Sequence, residues 1–253
     1  MTHVAHARFY APGLQPEPGR LVVLSPDEAA HLAQVLRLRA GDAVRVFDGA
    51  GVEFAATIET AGRTAVSVRL IDQIPARPEP RVRLTLAQAV LKGEAFDQVV
   101  RDATMAGVRA IRPVLTSLST PRAGAGTPIR RLERWRRVAI ASAKQCGRAT
   151  LPAIDEPIDL GAWFARDHSD VRLILAEPAS AAAVPGSLAA LRDHPAPPSA
   201  SLLVGPEGGW TGEETATALG RGVVPLTLGA LTLRADAAAV VAVSALFTAW
   251  DAW

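Results

Sequence analysis

The chain has 253 residues, 49% of them apolar, and a formal net charge of +2. That apolar fraction excludes a disordered chain and leaves room for one large domain or two modest ones. The near-balanced charge does not by itself demand a nucleic-acid partner, the single cysteine, Cys146, excludes an intrachain disulfide, and no apolar run is long enough for a transmembrane helix.

The opening "MTHVAHARFY" lacks the basic segment and apolar core of a secretory signal, and a chain with one thiol fits the cytoplasm, so a cytoplasmic protein without a membrane partner is expected. In "SPDEAAHLAQVLRL", Ser25 is placed to cap a helix, Pro26 suits its first turn and Glu28 completes a capping box. After Gly41-Asp42, the runs "AVRVFDG", "VEFAATIET" and "TAVSVRLI" are separated by "GAG" and "AGR", the spacing of a small β-barrel or sandwich. "PARPEPR", from Pro75 to Arg81, is a stiff polar linker. A first domain over residues 1–74 and a second over 81–253 are expected on either side of it.

The second region alternates strands and helices. "VRLTLAQAV" and "VRAIRPVL" are buried strands; "GEAFDQVVRDATMAG" puts Phe96, Val99, Val100 and Ala103 on one helical face and stops at Gly107. "PIRRLERWRRVAIASAKQCG" is a helix ending at Gly147, and "VRLILAEP", "ASLLVGPEGG" and "VVPLTLGAL" are strand-to-loop units before a final helix from about Ala235 to Trp250. This order predicts a largely parallel α/β sheet, whose ligands bind beyond the carboxyl ends of the strands.

Three strand ends are therefore candidate site loops: Leu175–Pro178, Val204–Gly209 and Leu228–Asp236. A phosphate-binding turn uses bare N–H groups, and Glu207 inside "GPEGG" would repel a phosphate; the spacing also fails the G-x-G-x-x-G fingerprint. The loop better suits a ligand with hydroxyls, an amine or a positive charge, with the glycines allowing close backbone approach. A second reading stays open, in which Glu207 accepts hydrogen bonds from loop amides. "TGEE" forms a capping box from Thr211 to Glu214. Arg130, Arg131, Arg134, Arg136 and Arg137, followed by Lys144 and Arg148, form a basic helix that is either a solvated face or a phosphate contact, and Arg8, Arg37, Arg39 and Arg45 make the first region basic. Asp97 and Arg101 have the spacing of a helical ion pair. The histidines lack metal-ligand spacing, so no metal is expected.

In order along nearly the whole chain, "ARFY", "HLAQVLRLRAGDAVRVFDG", "LKGEAFDQVVRDATMAGV", "RWRRVAIASAKQCGR", "LLVGPEGGWTGEE" and "LTLGALTLRADAA" resemble the bacterial 16S rRNA uridine-N3 methyltransferases of the SPOUT class. The resemblance implies a PUA-like RNA-binding β-barrel domain, then an α/β SPOUT methyltransferase domain with a C-terminal trefoil knot. It implies a homodimer, S-adenosylmethionine (SAM) as cofactor and the 16S rRNA of the small ribosomal subunit as partner. Carried onto this sequence, the cofactor loops are Leu175, Ala176 and Glu177; Gly205, Glu207, Gly208 and Gly209; and Leu228, Gly229 and Leu233. Arg234 and Arg8 become the groups that stabilise a developing uracil anion, with Asp236 or a water as proton acceptor. The family's last loop commonly reads L-G-P-R-I-L-R-T-E-T-A; here Ala230 and Leu231 replace Pro-Arg, Thr232 an aliphatic residue, Ala235 Thr and Asp236 Glu. Competing readings are a related enzyme acting on another base or position, a catalytically inactive RNA-binding assembly factor, and a nucleotide-binding metabolic enzyme.

Overall fold

A computed structural model of the chain describes residues 7–62, 65–119, 128–177 and 188–253. The contacts divide it into two compact units, Met1–Pro78 with Ile140–Leu151, and Glu79–Ala139 with Pro152–Trp253.

The first unit holds β1 (Arg8–Tyr10), β2 (Leu21–Val23), β3 (Ala43–Phe47), β4 (Glu53–Ala61) and β5 (Val66–Ile74), in sheet order β1-β3-β4-β5-β2. β1 and β3 run parallel and the other pairs antiparallel. Alternation in β4 turns Phe54, Ala56 and Ile58 into a core shared with Phe9, Leu32, Val46, Val68 and Leu70. The helix expected after Ser25 is only partly regular. Ser25 Oγ does cap α1 (Pro26–Ala30), but the chain then widens into a π turn at His31–Val35, and Arg37 takes φ +55°. The Leu36 N–H reaches back to the His31 carbonyl, an i→i+5 bond that keeps Leu32 buried and leaves Val35 and Leu36 exposed.

Within this unit, Arg8 is a buried structural cation. Its Nε and Nη2 donate to Glu53 at 2.9 and 3.0 Å, and its Nη1 donates to the Ala143 and Arg148 carbonyls at 2.6 and 3.2 Å. The guanidinium lies 4.6 Å from the Phe47 ring centroid. Ala143 lies in the last turn of α3 (Pro128–Cys146) and Arg148 just beyond it, at a helix C-terminus, which attracts positive charge; the Ala143 carbonyl also accepts from the Gly147 and Arg148 N–H groups, each at 3.1 Å. Lys144 is a second anchor. Its ammonium donates to Glu28 Oε2 at 2.8 Å and to His31 Nδ1 at 2.9 Å. The neutral His31 ring therefore carries its proton on Nε2. Burial first, then the Lys144 charge, lower the His31 pKa, against an upward pull from Glu28.

Three arginine-and-lysine expectations change accordingly. Arg8, Lys144 and Arg148 are not part of an exposed basic face, because each is buried or nearly so. Burying a cation costs several kcal/mol unless its donors are met, and here carboxylates and carbonyls engage Arg8 and Lys144.

The second unit is built on β6 (Arg83–Ala89), β7 (Ala110–Leu115), β8 (Ala153–Ile154), β9 (Ile158–Asp159), β10 (Val171–Leu175), β11 (Ser199–Val204) and β12 (Val224–Leu226). The order is β12-β10-β11-β6-β7-β8, with β9 also on β7, and every pairing is parallel. The sheet is covered on both faces, so β6 and β11 are buried along most of their length, the polar Gln88 and Ser201 included. Leu84, Leu86 and Leu202 face one core with α2 (Ala95–Ala106) and α7 (Ala235–Ala249); Ala87 and Leu203 face another with α4 (Leu160–Arg166) and α6 (Gly212–Gly220), the short α5 (Leu188–Arg192) preceding β11. Helix α2 buries Phe96, Val99, Val100 and Ala103 as their spacing predicts, and Gly107 ends it at φ +95°. Phe96 stacks on Trp135 with centroids 4.4 Å apart.

Asp97 does not pair with Arg101. It takes Arg134 of α3, which also reaches Glu94 at 3.2 Å, while Arg101 turns to Asp102 and Gln98. Asp97 is largely covered, and a cross-helix pair there is screened less than an exposed pair along one helix. Arg136 and Arg137 remain exposed.

Replacing Arg8 with Ala leaves the buried Glu53 with only the half-exposed Arg45 guanidinium at 3.9 Å and is expected to cost about 3 kcal/mol. Urea unfolding checks this, and the Arg8→Met/Glu53→Leu double variant should lose markedly less.

Candidate active site

Four strand ends meet at one cavity. From β6 the chain continues outward to β7, while β10, β11 and β12 fill the other side, so the order reverses between β6 and β11. Such a switch point leaves a crevice at the carboxyl ends. The cavity there has a volume of about 430 Å³ and is lined by Leu91 and Ala95, by Leu175–Glu177, by Val204–Glu207 with Gly209 and Trp210, and by Thr227, Leu228, Leu231–Asp236 and Ala238. That size suits a compact cofactor.

The loop after β11 is shaped by what its glycines lack. A Cβ on Gly205 would come within 3.2 Å of the Trp210 indole, and that indole donates its N–H to the Leu175 carbonyl at 2.9 Å. Gly209 sits at φ +73°, and its N–H closes a turn onto the Pro206 carbonyl at 3.0 Å. A Cβ there would press on Glu177 Oε1 at 3.0 Å. Behind the loop, the buried Gln88 amide donates to the carbonyls of Ala89, Val204 and Gly205 at 3.2–3.4 Å. Glu207 Oε1 accepts from the Lys92 N–H at 3.1 Å and so ties the loop to the end of β6. The loop-amide reading of Glu207 is thus present in the structure, and the residue still lines the cavity.

Helix α6 fixes the far side of this loop. Thr211 and Glu214 form the expected capping box, and Glu214 Oε1 also accepts from the Ser117 N–H at 2.8 Å. Burial pushes the Glu214 pKa up, but the amides of Ser117 and Thr211 outweigh it and the net shift is downward.

At the other wall, Arg234 and Asp236 form a two-point pair, Nε to Oδ1 at 3.1 Å and Nη2 to Oδ2 at 2.9 Å. Glu177, Glu207 and Asp236 are the acids of the lining and Arg234 its one base. An apolar cavity with three carboxylates and one guanidinium favours a cationic ligand over a phosphate.

Of the cofactor positions expected from sequence, Leu175, Ala176, Glu177, Gly205, Glu207, Gly209, Leu228 and Leu233 line the cavity, as do Arg234 and Asp236. Gly208 and Gly229 do not: Gly208 backs onto Leu118, 3.3 Å from where its Cβ would stand, and Gly229 takes φ +131° beside the Thr227 hydroxyl. Arg8 is not in the lining, its donors being committed as described. Pro178 lies outside the described residues. Sequence reasoning missed Trp210, Gln88 and Leu91. An indole directly after two glycines was the available signal for Trp210, since an aromatic plate needs a neighbour without a Cβ.

A family model for an RNA methyltransferase domain matches residues 77–247, and one for an RNA methyltransferase PUA domain matches residues 24–71. A ribosomal RNA small subunit methyltransferase E from Synechocystis is 32% identical over 224 residues, 88% of this chain and 71% of that protein. The chain belongs to this RNA methyltransferase family. A Legionella pneumophila relative, solved in complex with the bound cofactor SAM, superposes with a TM-score of 0.88 at 32% identity, covering 96% of this chain and 97% of that one. The ribosomal RNA small subunit methyltransferase E of Neisseria gonorrhoeae, bound to S-adenosyl methionine, gives 0.82 at 26% identity over 96% and 98%. The fold is accordingly that of a mixed α/β methyltransferase with a parallel sheet, accompanied by a PUA-like domain. Among the described residues, no helix is long and apolar enough to cross a membrane.

Two outcomes follow from the local geometry. Gly209→Ala forces a side chain into a left-handed conformation and should cost about 1–2 kcal/mol in denaturant unfolding. Glu214→Gln keeps an acceptor at the third helical position but loses the charge that meets the Ser117 and Thr211 amides, and should cost about 1 kcal/mol at neutral pH. Because the folded carboxyl titrates below the unfolded one, its contribution is full above about pH 4.3 and is lost as pH falls through the lower folded value. The gap between Glu214→Gln and wild type should therefore narrow progressively in unfolding curves as pH falls below about 4.3.

Proposed function

We propose that the protein is a SAM-dependent methyltransferase that methylates N3 of a uridine in the 16S rRNA of the small ribosomal subunit, acting in the cytoplasm as a homodimer. The observation that carries the reading is the acid-lined apolar cavity at the switch point, with Arg234 on its wall. The residues present fit SAM. Leu91, Val204, Leu228, Leu231 and Leu233 offer apolar walls to an adenine, and Glu177 and Glu207 oppose the charge of an ammonium and a sulfonium. When bound, SAM supplies an electrophilic methyl group already activated by its sulfonium.

The chain's own work is then alignment and charge. The turn at Gly205–Gly209 lets backbone approach the cofactor closely, and Trp210 holds that turn to Leu175. Arg234 stabilises the negative charge that grows on the carbonyl oxygens flanking N3 as its proton leaves. N3 lies on the pairing edge, so the target base is unpaired or flipped out. The exposed arginines Arg136 and Arg137, with Arg37 and Arg39 of the first domain, supply salt-sensitive phosphate contacts. Residues 1–74 serve as the PUA-like RNA-binding barrel and 81–253 as the SPOUT domain. The trefoil knot belongs to the same reading.

Incubation with labelled SAM and small subunits from cells lacking the protein, followed by digestion and mass spectrometry, should locate one 3-methyluridine in 16S rRNA. A methyl group on another base would overturn the target, and calorimetry without SAM binding would favour an inactive assembly factor. Arg234→Ala should lower the transfer rate about 100-fold, the usual effect of removing one donor to a developing oxyanion.

A further inference from the structure

Resting on that reading, we propose that Asp236 is a positioning residue and not the proton acceptor: its carboxylate holds the Arg234 guanidinium in place, and the N3 proton leaves to solvent water. Methyl transfer to N3 forms one nitrogen–carbon bond, breaks the sulfur–methyl bond and releases one proton. That proton must go somewhere, and the acids of the cavity lining are Glu177, Glu207 and Asp236.

Asp236 is already employed on both oxygens. Oδ1 accepts from Arg234 Nε and Oδ2 from Nη2, the fork geometry that fixes a guanidinium plane. Protonating either oxygen would take an acceptor from the fork at the moment the base becomes anionic, when Arg234 is most needed. The two jobs conflict on one side chain. The burial of the pair points the same way: the Asp236 side chain is 19% exposed and that of Arg234 82%. The acid is tucked into the first turn of α7, and the guanidinium is what an incoming base meets.

The mount is rigid on its backbone side as well. Arg234 is the residue that begins α7, and its carbonyl accepts from the Ala238 N–H at 2.8 Å. With the Nε–Nη2 edge taken by Asp236, both N–H groups of Nη1 and the second N–H of Nη2 are left for substrate. Donors there match a carbonyl oxygen beside a uracil N3. The other acids have structural ties of their own, Glu207 to the Lys92 N–H and Glu177 against Gly209.

The test is a double-mutant cycle on methyl transfer to small subunits, with pH–rate profiles and SAM calorimetry on each variant. Asp236→Ala and Asp236→Asn should lower kcat about ten- to a hundredfold while KM for SAM changes less than about threefold. Asp236→Glu, which can still pair, should recover most of the rate. The slope of log kcat against pH should match wild type in Asp236→Asn, and Arg234→Ala/Asp236→Ala should be no slower than Arg234→Ala. A profile that goes flat in Asp236→Asn would make Asp236 the base and overturn the inference. Losses that multiply in the double variant would overturn it equally, by giving Asp236 a role independent of Arg234. A wild-type protein that binds SAM but methylates no small-subunit RNA defeats the functional reading itself, and the inference with it; an active wild type with multiplying losses defeats the inference alone.

Discussion

The hydrogen bond from the Trp210 indole to the Leu175 carbonyl is the contact on which the pocket depends. It joins the loop after β11 to the end of the neighbouring parallel strand β10, and the absence of a Cβ on Gly205 lets the indole lie close against the turn. Strands that end side by side leave backbone carbonyls unpaired, and an unpaired buried carbonyl is costly. Trp210 meets one, and Gln88 reaches three more. The crevice is held open by donors that satisfy its rim.

Acid and base are distributed by depth. Arg8 and Lys144 are buried cations whose charge is spent on Glu53, Glu28 and helix-end carbonyls, so they contribute packing and little outward field. Arg136 and Arg137 stay at the surface. The cavity reverses the sign, three carboxylates against one guanidinium. A single count of arginines along the chain cannot separate these environments, since the separation is one of burial and pairing.

Much of the second unit was legible in sequence because its signals are local. The Phe96–Ala103 face, the stop at Gly107 and the capping box at Thr211–Glu214 depend on residues within a few positions of each other. The π turn after Ala30 was not legible, because a regular and a widened turn share the same apolar spacing over so short a run. Helix α4 and the short strands β8 and β9 were also unread, being too brief for a period to show. The ion pairs were read wrongly at Asp97, where sequence spacing favours Arg101 but the partner comes from a different helix.

The sequence by itself determined the alternation of strands and helices, the glycine turn with an acid inside it, and the ordered motifs that place the chain in an RNA methyltransferase family. Those properties are carried by composition, periodicity and neighbour spacing, which survive without coordinates. Only the tertiary structure decided which strand ends are neighbours, that Gly208 and Gly229 stand off the cavity, that Arg8 is committed to Glu53 and helix-end carbonyls, and that Asp236 grips Arg234 with both oxygens. Each of these turns on atoms brought together across the chain or on the rotamer a side chain adopts. Burial and hydrogen-bond competition settle such choices only once the fold has formed.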